Sequence, residues 1–207
     1  MARPTDLWIE HTRGGRVLLH ATSSLDVHGF GPLDIAAHRF SRYSMQAYQV
    51  IHRVGRPAYY RSIPDGRVVF KPIPRRGGYW KFKNAARFEL WTLGPGMHQV
   101  RTGEKLIYCL RDLRRTHPGP LSPRAPVHPG CNQSLASSRV HLGTSIGWSD
   151  IYPSTYYEQY IDVTGLSGCF GFWMVADPFN ELWESDEADN ASGAVVRLPR
   201  LKPGGGC

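Results

Sequence analysis

The chain has 207 residues, of which 41% are hydrophobic and 20% charged, and this balance excludes a disordered polypeptide. Its length suits one domain with its own core, so we predict a single domain over residues 1–207. The net charge is +8, yet six acidic residues fall between 174 and 207, so the basic body suits a polyanion and the acidic segment a cation. No apolar run approaches the roughly 20 residues that a transmembrane helix needs, and we expect no membrane span.

The first residues and the cysteines bear on the compartment. The opening MARPTDLWIEH lacks the apolar core of a signal peptide, which predicts a cytoplasmic protein if the chain is complete as given. The cysteines form no CxxC pair and allow disulfides in an oxidising compartment, with the pairing left open. They are Cys109, Cys131, Cys169 and Cys207.

Short apolar and aromatic runs follow one another along the chain, separated by turn signals such as Pro64-Asp65-Gly66 and Gly94-Pro95-Gly96. Nine runs have the composition of strands: 16–22, 45–53, 67–73, 79–83, 87–93, 105–111, 159–165, 169–175 and 193–199. This pattern predicts a mainly β fold, an antiparallel β-sandwich with long irregular loops and little helix. Residues 113–145 are rich in proline and are predicted to form the longest loop.

The run at 79–83 places two kinds of side chain on opposite faces of a strand. Tyr79, Lys81 and Lys83 share one face, and Trp80 and Phe82 share the other. The polar row could be a solvated face, a basic track for phosphates or the remains of a metal site. Single-stranded nucleic acid would need rings and lysines on the same side, so nucleic acid is not expected as a partner.

Common enzyme signatures are absent: the sequence has no P-loop, no HExxH and no GxSxG. The chain has nine histidines, but no two of them lie within four residues of each other. The sequence therefore shows no local histidine spacing for a metal.

Carboxylates cluster in ADPFNELWESDEADN, residues 176–190. Glu184, Asp186, Asp189 and Asn190 offer oxygen ligands at short spacing, as a hard cation such as calcium prefers. A solvated acidic turn is the alternative interpretation.

Four motifs in order resemble the catalytic domain of the lysyl oxidase family. They are Asp150-Ile-Tyr152 for "D-x-Y", QYIDVT at 159–164, ESDEADN at 184–190, and residues 103–110 for "G-x-K-x-x-x-C-L". The similarity is strongest over 67–199, and 200–207 would be a flexible tail. The resemblance also implies an extracellular location.

Members of this family are copper-dependent amine oxidases whose cofactor, lysine tyrosylquinone, forms within the chain from one lysine and one tyrosine. The resemblance places these residues at Lys105 and Tyr152. It implies oxidation of primary amines or peptidyl lysine to aldehydes with oxygen.

The chain departs from the family at the copper site. Relatives hold copper on alternate histidines, "H-x-H-[WY]-H", and alignment on Trp80 places these ligands at Gly77, Tyr79 and Lys81. None is a histidine, and a lysine ammonium has no lone pair for a metal. The resemblance thus implies a degenerate copper site and impaired oxidation, unless ligands are recruited from elsewhere, such as His98, His117 or His128.

In the family, calcium is held by the acidic turn together with an Asp-Leu pair on the first strand. The resemblance implies these ligands here: Asp6, Leu7 through its carbonyl, Glu184, Asp186, Asp189 and Asn190.

The sequence is compatible with two functions. One is an impaired lysyl-oxidase-like amine oxidase. The other is a non-catalytic, calcium-stabilised β-sandwich that binds an anionic glycan or a protein partner. The second would use a cationic patch composed of Lys71, Arg75, Arg76, Lys81, Lys83 and Arg87.

Overall fold

The computed structural model describes residues 3–75, 77–201 and 207. In chain order its strands are β1 (Thr5–His11), β2 (Val17–Asp26), β3 (Leu33–Ser41), β4 (Ser44–Arg53), β5 (Arg56–Ile73), β6 (Gly77–Phe82), β7 (Ala86–Thr92), β8 (Gln99–Thr102), β9 (Arg114–Arg115), β10 (Arg139–Thr144), β11 (Trp148–Tyr152), β12 (Tyr160–Asp162), β13 (Gly168–Ala176) and β14 (Ala191–Leu198). The helical content of the described residues is one 3₁₀ turn, Glu187–Asp189. None of these residues belongs to a helix long and apolar enough to cross a membrane.

The strands form three antiparallel sheets. The first has the order β1-β2-β11-β9, with β12 also paired to β2. The second has the order β10-β3-β4-β5-β6, and the third β14-β13-β7-β8. The predicted class, a mainly β protein with antiparallel strands and little helix, is confirmed.

One apolar core joins the sheets. Its fully buried side chains come from all three, because the inward positions of each strand are apolar or aromatic. They include Leu19, Ile35, Met45, Trp80, Phe82, Phe88, Leu142 and Phe172.

Three local predictions were wrong, and the first is that residues 113–145 form one loop, since β9 and β10 lie within them. The run at 105–111 is not a strand but an extended segment with one isolated bridge, from Tyr108 to Phe82. Pro64-Asp65-Gly66 does not end a strand either, because β5 continues through it. The pairing of β5 with β4 instead shifts register there, between Gln46 and Tyr48, which is how a strand accommodates extra residues.

Two disulfides settle the open pairing of the cysteines. Cys109 bonds to Cys131, and Cys169 bonds to Cys207. The first ties the irregular segment after β9 to the 105–110 segment. Of the predicted tail, residues 202–206 lie outside the described residues.

Candidate lysine–tyrosine site

The structure brings together the two residues of the predicted quinone-forming pair. The Nζ atom of Lys105 lies 3.4 Å from the centroid of the Tyr152 ring. The rings of Tyr108 and Tyr156 lie 4.1 and 4.6 Å from the same nitrogen. Lys105 is only 3% exposed, so the three rings form a closed cage around its amine.

Strand geometry explains how the cage is assembled. β6 is the last strand of its sheet, and its free edge is covered by the 105–110 segment through paired backbone hydrogen bonds between Phe82 and Tyr108 (2.8 and 3.0 Å). Tyr152 lies in β11 opposite Ser23 of β2. The site therefore lies where the edge of the second sheet meets the first sheet.

Several polar groups in the site have hydrogen-bond partners on other segments, whereas the Tyr108 hydroxyl and Oδ1 of Asp150 have none among the described residues. Lys105 donates to Oε1 of Gln159 (3.1 Å), and the Tyr152 hydroxyl accepts from the Cys109 amide (2.8 Å). Asp150 shares the inward face of β11 with Tyr152. One of its carboxylate oxygens accepts from the Leu110 amide at 3.2 Å. The other lies 3.8 Å from Nε of Arg111.

Burial disfavours the charged forms of these groups. It lowers the pKa of Lys105 well below its ordinary value, and the nearby Lys81 lowers it further. Burial also raises the pKa of Asp150 to about 6 and the pKa of Tyr152 well above its ordinary value. These shifts favour the uncharged forms, a neutral amine on Lys105 and a neutral phenol on Tyr152. A neutral amine is nucleophilic, but the cage closes this one off from solutes.

Lys81 points into the same site, so of the three interpretations of the polar row neither a solvated face nor a basic track describes this residue. It is 2% exposed, and its Nζ donates to the Tyr156 hydroxyl (3.1 Å) and lies 5.8 Å from the Tyr152 ring centroid. Burial lowers its pKa to about 8, with Lys71 contributing repulsion. Trp80 is fully buried on the other face of β6, so both faces of this strand are covered.

The three positions aligned with the copper ligands do not fit copper. Gly77 has no side chain, and Tyr79 is half-buried on the face of β6 that carries Lys81. Lys81 puts an ammonium beside Tyr152, where a metal would be repelled by it. The residues present at this strand therefore provide no copper site.

The prediction of a cationic patch around these lysines is wrong, because three of its six members are buried or in ion pairs. Lys81 is buried. Lys71 forms an ion pair with Glu158, and Arg87 forms one with Glu89. The other members are exposed Arg75 and Lys83, and Arg76, which lies outside the described residues.

The predicted calcium ligands are only partly gathered. Four of them line one cavity of about 420 Å³: Glu184, Asp186, Asp189 and Asn190. Asn190 donates to Glu184 (3.1 Å) within this group. Asp6 and Leu7 are not among the residues that line it, and Asp6 instead accepts from the Thr22 hydroxyl (2.8 Å) on the adjacent strand. The six-ligand set is therefore not assembled in this structure, and calcium stays a prediction.

Of the three histidines considered as substitute copper ligands, one belongs to a potential metal-binding group. His117 lies with Asp26 and His28, and one ligand atom of each lies within 4.8 Å of the others. His98 lies in the β7–β8 loop next to Thr92, and His128 packs near Gly143. Within the described residues, no group of three such ligands surrounds Lys105.

The sequence alone missed several members of the cage. Tyr108, Asp150 and Gln159 lie inside the motifs that carry the resemblance, and Tyr156 lies between two of them. The alternation of Asp150 and Tyr152 on β11 was the one local signal, since both had to share a face.

Comparison with protein-family models found no match for this chain, and comparison with curated proteins found none either. The lysyl oxidase resemblance therefore stays a prediction resting on the four motifs.

Proposed function

We propose that the protein is a lysyl-oxidase-like binding module in which the lysine–tyrosine pair persists without becoming a cofactor. The observation that carries the proposal is Lys81, whose amine lies beside Tyr152 at a position where relatives would hold copper. Lys105 and Tyr152 then act as a buried, cage-forming pair that joins the 105–110 segment to the first sheet.

Amine oxidation is the second candidate, favoured by the 3.4 Å approach of the Lys105 amine to the Tyr152 ring. The two candidates differ in whether a quinone forms. We expect that purified protein, incubated with Cu²⁺ in air, gives no redox-cycling quinone stain above that of Tyr152→Phe. Staining that disappears in Tyr152→Phe would overturn the binding-module proposal.

The partner that we propose is an anionic glycan, held by an exposed surface on β4, β5 and the loop after β13. This arginine–aromatic face consists of Arg53, Tyr59, Arg61 and Trp183. The Arg61 guanidinium lies 4.9 Å from the Trp183 ring, and the Arg53 guanidinium lies 5.9 Å from the Tyr59 ring. The centroids of the two rings lie 6.5 Å apart, and Tyr59 is 39% and Trp183 59% exposed.

This face has the chemistry to bind a charged sugar chain. Exposed rings provide flat apolar surfaces for sugar rings, and each guanidinium offers paired N–H groups to a sulfate or carboxylate. Backbone carbonyls already orient both arginines: Arg53 donates to Pro57 (2.8 Å) and Arg61 to Glu181 (2.8 Å). Less side-chain freedom is therefore lost on binding.

Binding to a sulfated polysaccharide tests the face directly. We expect the double variant Arg53→Ala/Arg61→Ala to bind at least about tenfold more weakly at physiological salt, because two charge-assisted contacts are lost. The control is Arg101→Ala/Arg114→Ala, which removes the same charge from exposed positions on β8 and β9. Equal losses in both variants would show that net charge alone drives binding, and would contradict this surface.

A further inference from the structure

We propose that Asp26, His28 and His117 form a binding site for a divalent transition-metal ion of the Zn²⁺ class. One ligand atom from each side chain lies within 4.8 Å of the other two. Asp26 and His28 lie two residues apart at the end of β2, whereas His117 follows β9. The fold itself therefore assembles the group from two distant segments.

Backbone hydrogen bonds hold both segments against one turn. The Gly147 carbonyl accepts from the amides of Thr116 (3.1 Å) and His117 (3.0 Å). The Gly147 amide donates to Val27 (2.8 Å), and the Val27 amide donates to Trp148 (3.1 Å). Val27 lies between the two ligands of the first segment, so the positions of all three ligands are set relative to the same turn.

Gly147 is required for this close approach. Its φ is +76°, and a Cβ there would lie 2.3 Å from the His117 carbonyl oxygen. Any larger residue would push the His117 segment away from Val27. The turn therefore keeps His117 close to Asp26 and His28.

The ligand chemistry matches the proposed class of ion. Two imidazoles and one carboxylate are typical ligands of Zn²⁺, and three protein ligands leave one position for water in a four-coordinate site. With metal–ligand bonds of about 2.0–2.1 Å, the ligand atoms of such a site lie roughly 3.4 Å apart. Small side-chain rotations would bring the three ligand atoms, now within 4.8 Å of one another, to that separation.

The contacts around the group are compatible with metal ligation. The two rings meet edge to face, with centroids 4.5 Å apart. The contacts of the described residues include no hydrogen bond or ion pair between Asp26 and either ring. The carboxylate instead accepts from Ser24, and Nδ1 of His117 lies 3.0 Å from the Thr116 hydroxyl. Such outer partners orient metal ligands in many proteins.

The group is separate from the lysine–tyrosine site. On β2, Asp26 pairs with Ser149 and Ser23 pairs with Tyr152. Three residues of strand place Asp26 about 10 Å from the residue opposite Tyr152. Asp26 and His28 instead line the cavity whose wall carries Glu184. An ion bound here would therefore not substitute for copper at Tyr152.

Zinc titration of the untagged, EDTA-stripped full chain tests the proposal. We expect one Zn²⁺ per chain by calorimetry and by elemental analysis after dialysis. His28→Gln, His117→Gln and Asp26→Asn should each bind at least about tenfold more weakly, because each loses a ligand. The control is His11→Gln, an exposed histidine at the end of β1, which should bind like the wild type.

Thermal melts without metal show whether each variant is folded. Wild-type protein that binds no Zn²⁺ would overturn the proposal. Folded His28→Gln and His117→Gln variants that bind as tightly as the wild type would also overturn it. Loss of binding in Asp26→Asn, combined with a normal metal-free melt, would show that the carboxylate acts as a ligand rather than as a structural group.

Discussion

The triple variant Gly77→His, Tyr79→His, Lys81→His is expected to bind one Cu²⁺ per chain on β6, where the wild-type strand binds none. These positions share one face of β6, so three imidazoles would project to the same side. A side chain at Gly77 would meet nothing within 4 Å, although its φ of +77° adds about 1–2 kcal/mol of backbone strain. Removing Lys81 also removes the buried ammonium from the site.

Lys81 is the position on which this variant depends. At pH 7 its amine, with a pKa of about 8, is mainly protonated. Two unit charges 4 Å apart repel by about 4 kcal/mol at an effective dielectric of 20, and a dication would feel about twice that. The matched control, Gly77→His/Tyr79→His with Lys81 retained, should therefore bind no copper on this strand at pH 7.

The copper titration is best carried out in a His117→Gln background. Imidazole and carboxylate ligands bind Cu²⁺ more tightly than Zn²⁺, so the proposed site at Asp26 would also bind copper. With that site weakened, bound copper reports β6 alone. A folded triple variant that binds no copper would contradict the alignment of these positions with the copper ligands of the lysyl oxidase family.

Lys81→Met is expected to raise the free energy of unfolding by about 1–3 kcal/mol at pH 7, since replacing a buried charge by an apolar side chain of similar length is often stabilising. The lysine is 2% exposed and keeps one hydrogen bond, to Tyr156. Its folded-state pKa of about 8 lies below the ordinary value of 10.5, so the folded protein holds fewer protons than the unfolded chain between these pH values. The buried charge of Lys81 therefore destabilises the folded protein fully below pH 8, and this destabilisation disappears as the pH rises toward 10.5.

Urea unfolding at pH 7 and pH 10 measures this difference. The advantage of Lys81→Met should shrink at pH 10, where the wild-type amine is largely neutral. Lys83→Met, next to the end of the same strand but exposed, should change stability by less than about 0.5 kcal/mol at either pH. An advantage that does not depend on pH would mean that burial leaves the pKa of Lys81 unshifted, and would contradict this account.

The sequence predicted most strands but not the environment of their faces. Runs such as 45–53 and 169–175 were identified because β-branched and aromatic residues dominate them, and they form β4 and β13. The run at 105–111 has the same composition, yet it only borders the edge of β6. Composition shows that a segment is extended and apolar, whereas pairing depends on which other segment occupies the neighbouring edge.

The site shows the same limit. Alternation correctly separated Lys81 from Trp80, but period-two patterning cannot tell a solvated face from one covered by another sheet. The motif resemblance predicted the pair Lys105 and Tyr152, which the fold brings into contact. The group of Asp26, His28 and His117 left only a two-residue spacing in the sequence, because its third member comes from a segment almost ninety residues away.

The claim that Lys105 and Tyr152 stay chemically separate is tested most directly by peptide mass spectrometry. The full chain would be incubated with Cu²⁺ in air, reduced, digested and searched for peptides containing either residue. We predict two separate, unmodified peptides, with the same masses as before copper treatment. A single cross-linked peptide joining Lys105 to Tyr152, absent in Tyr152→Phe, would contradict the account and restore the amine oxidase as the better proposal.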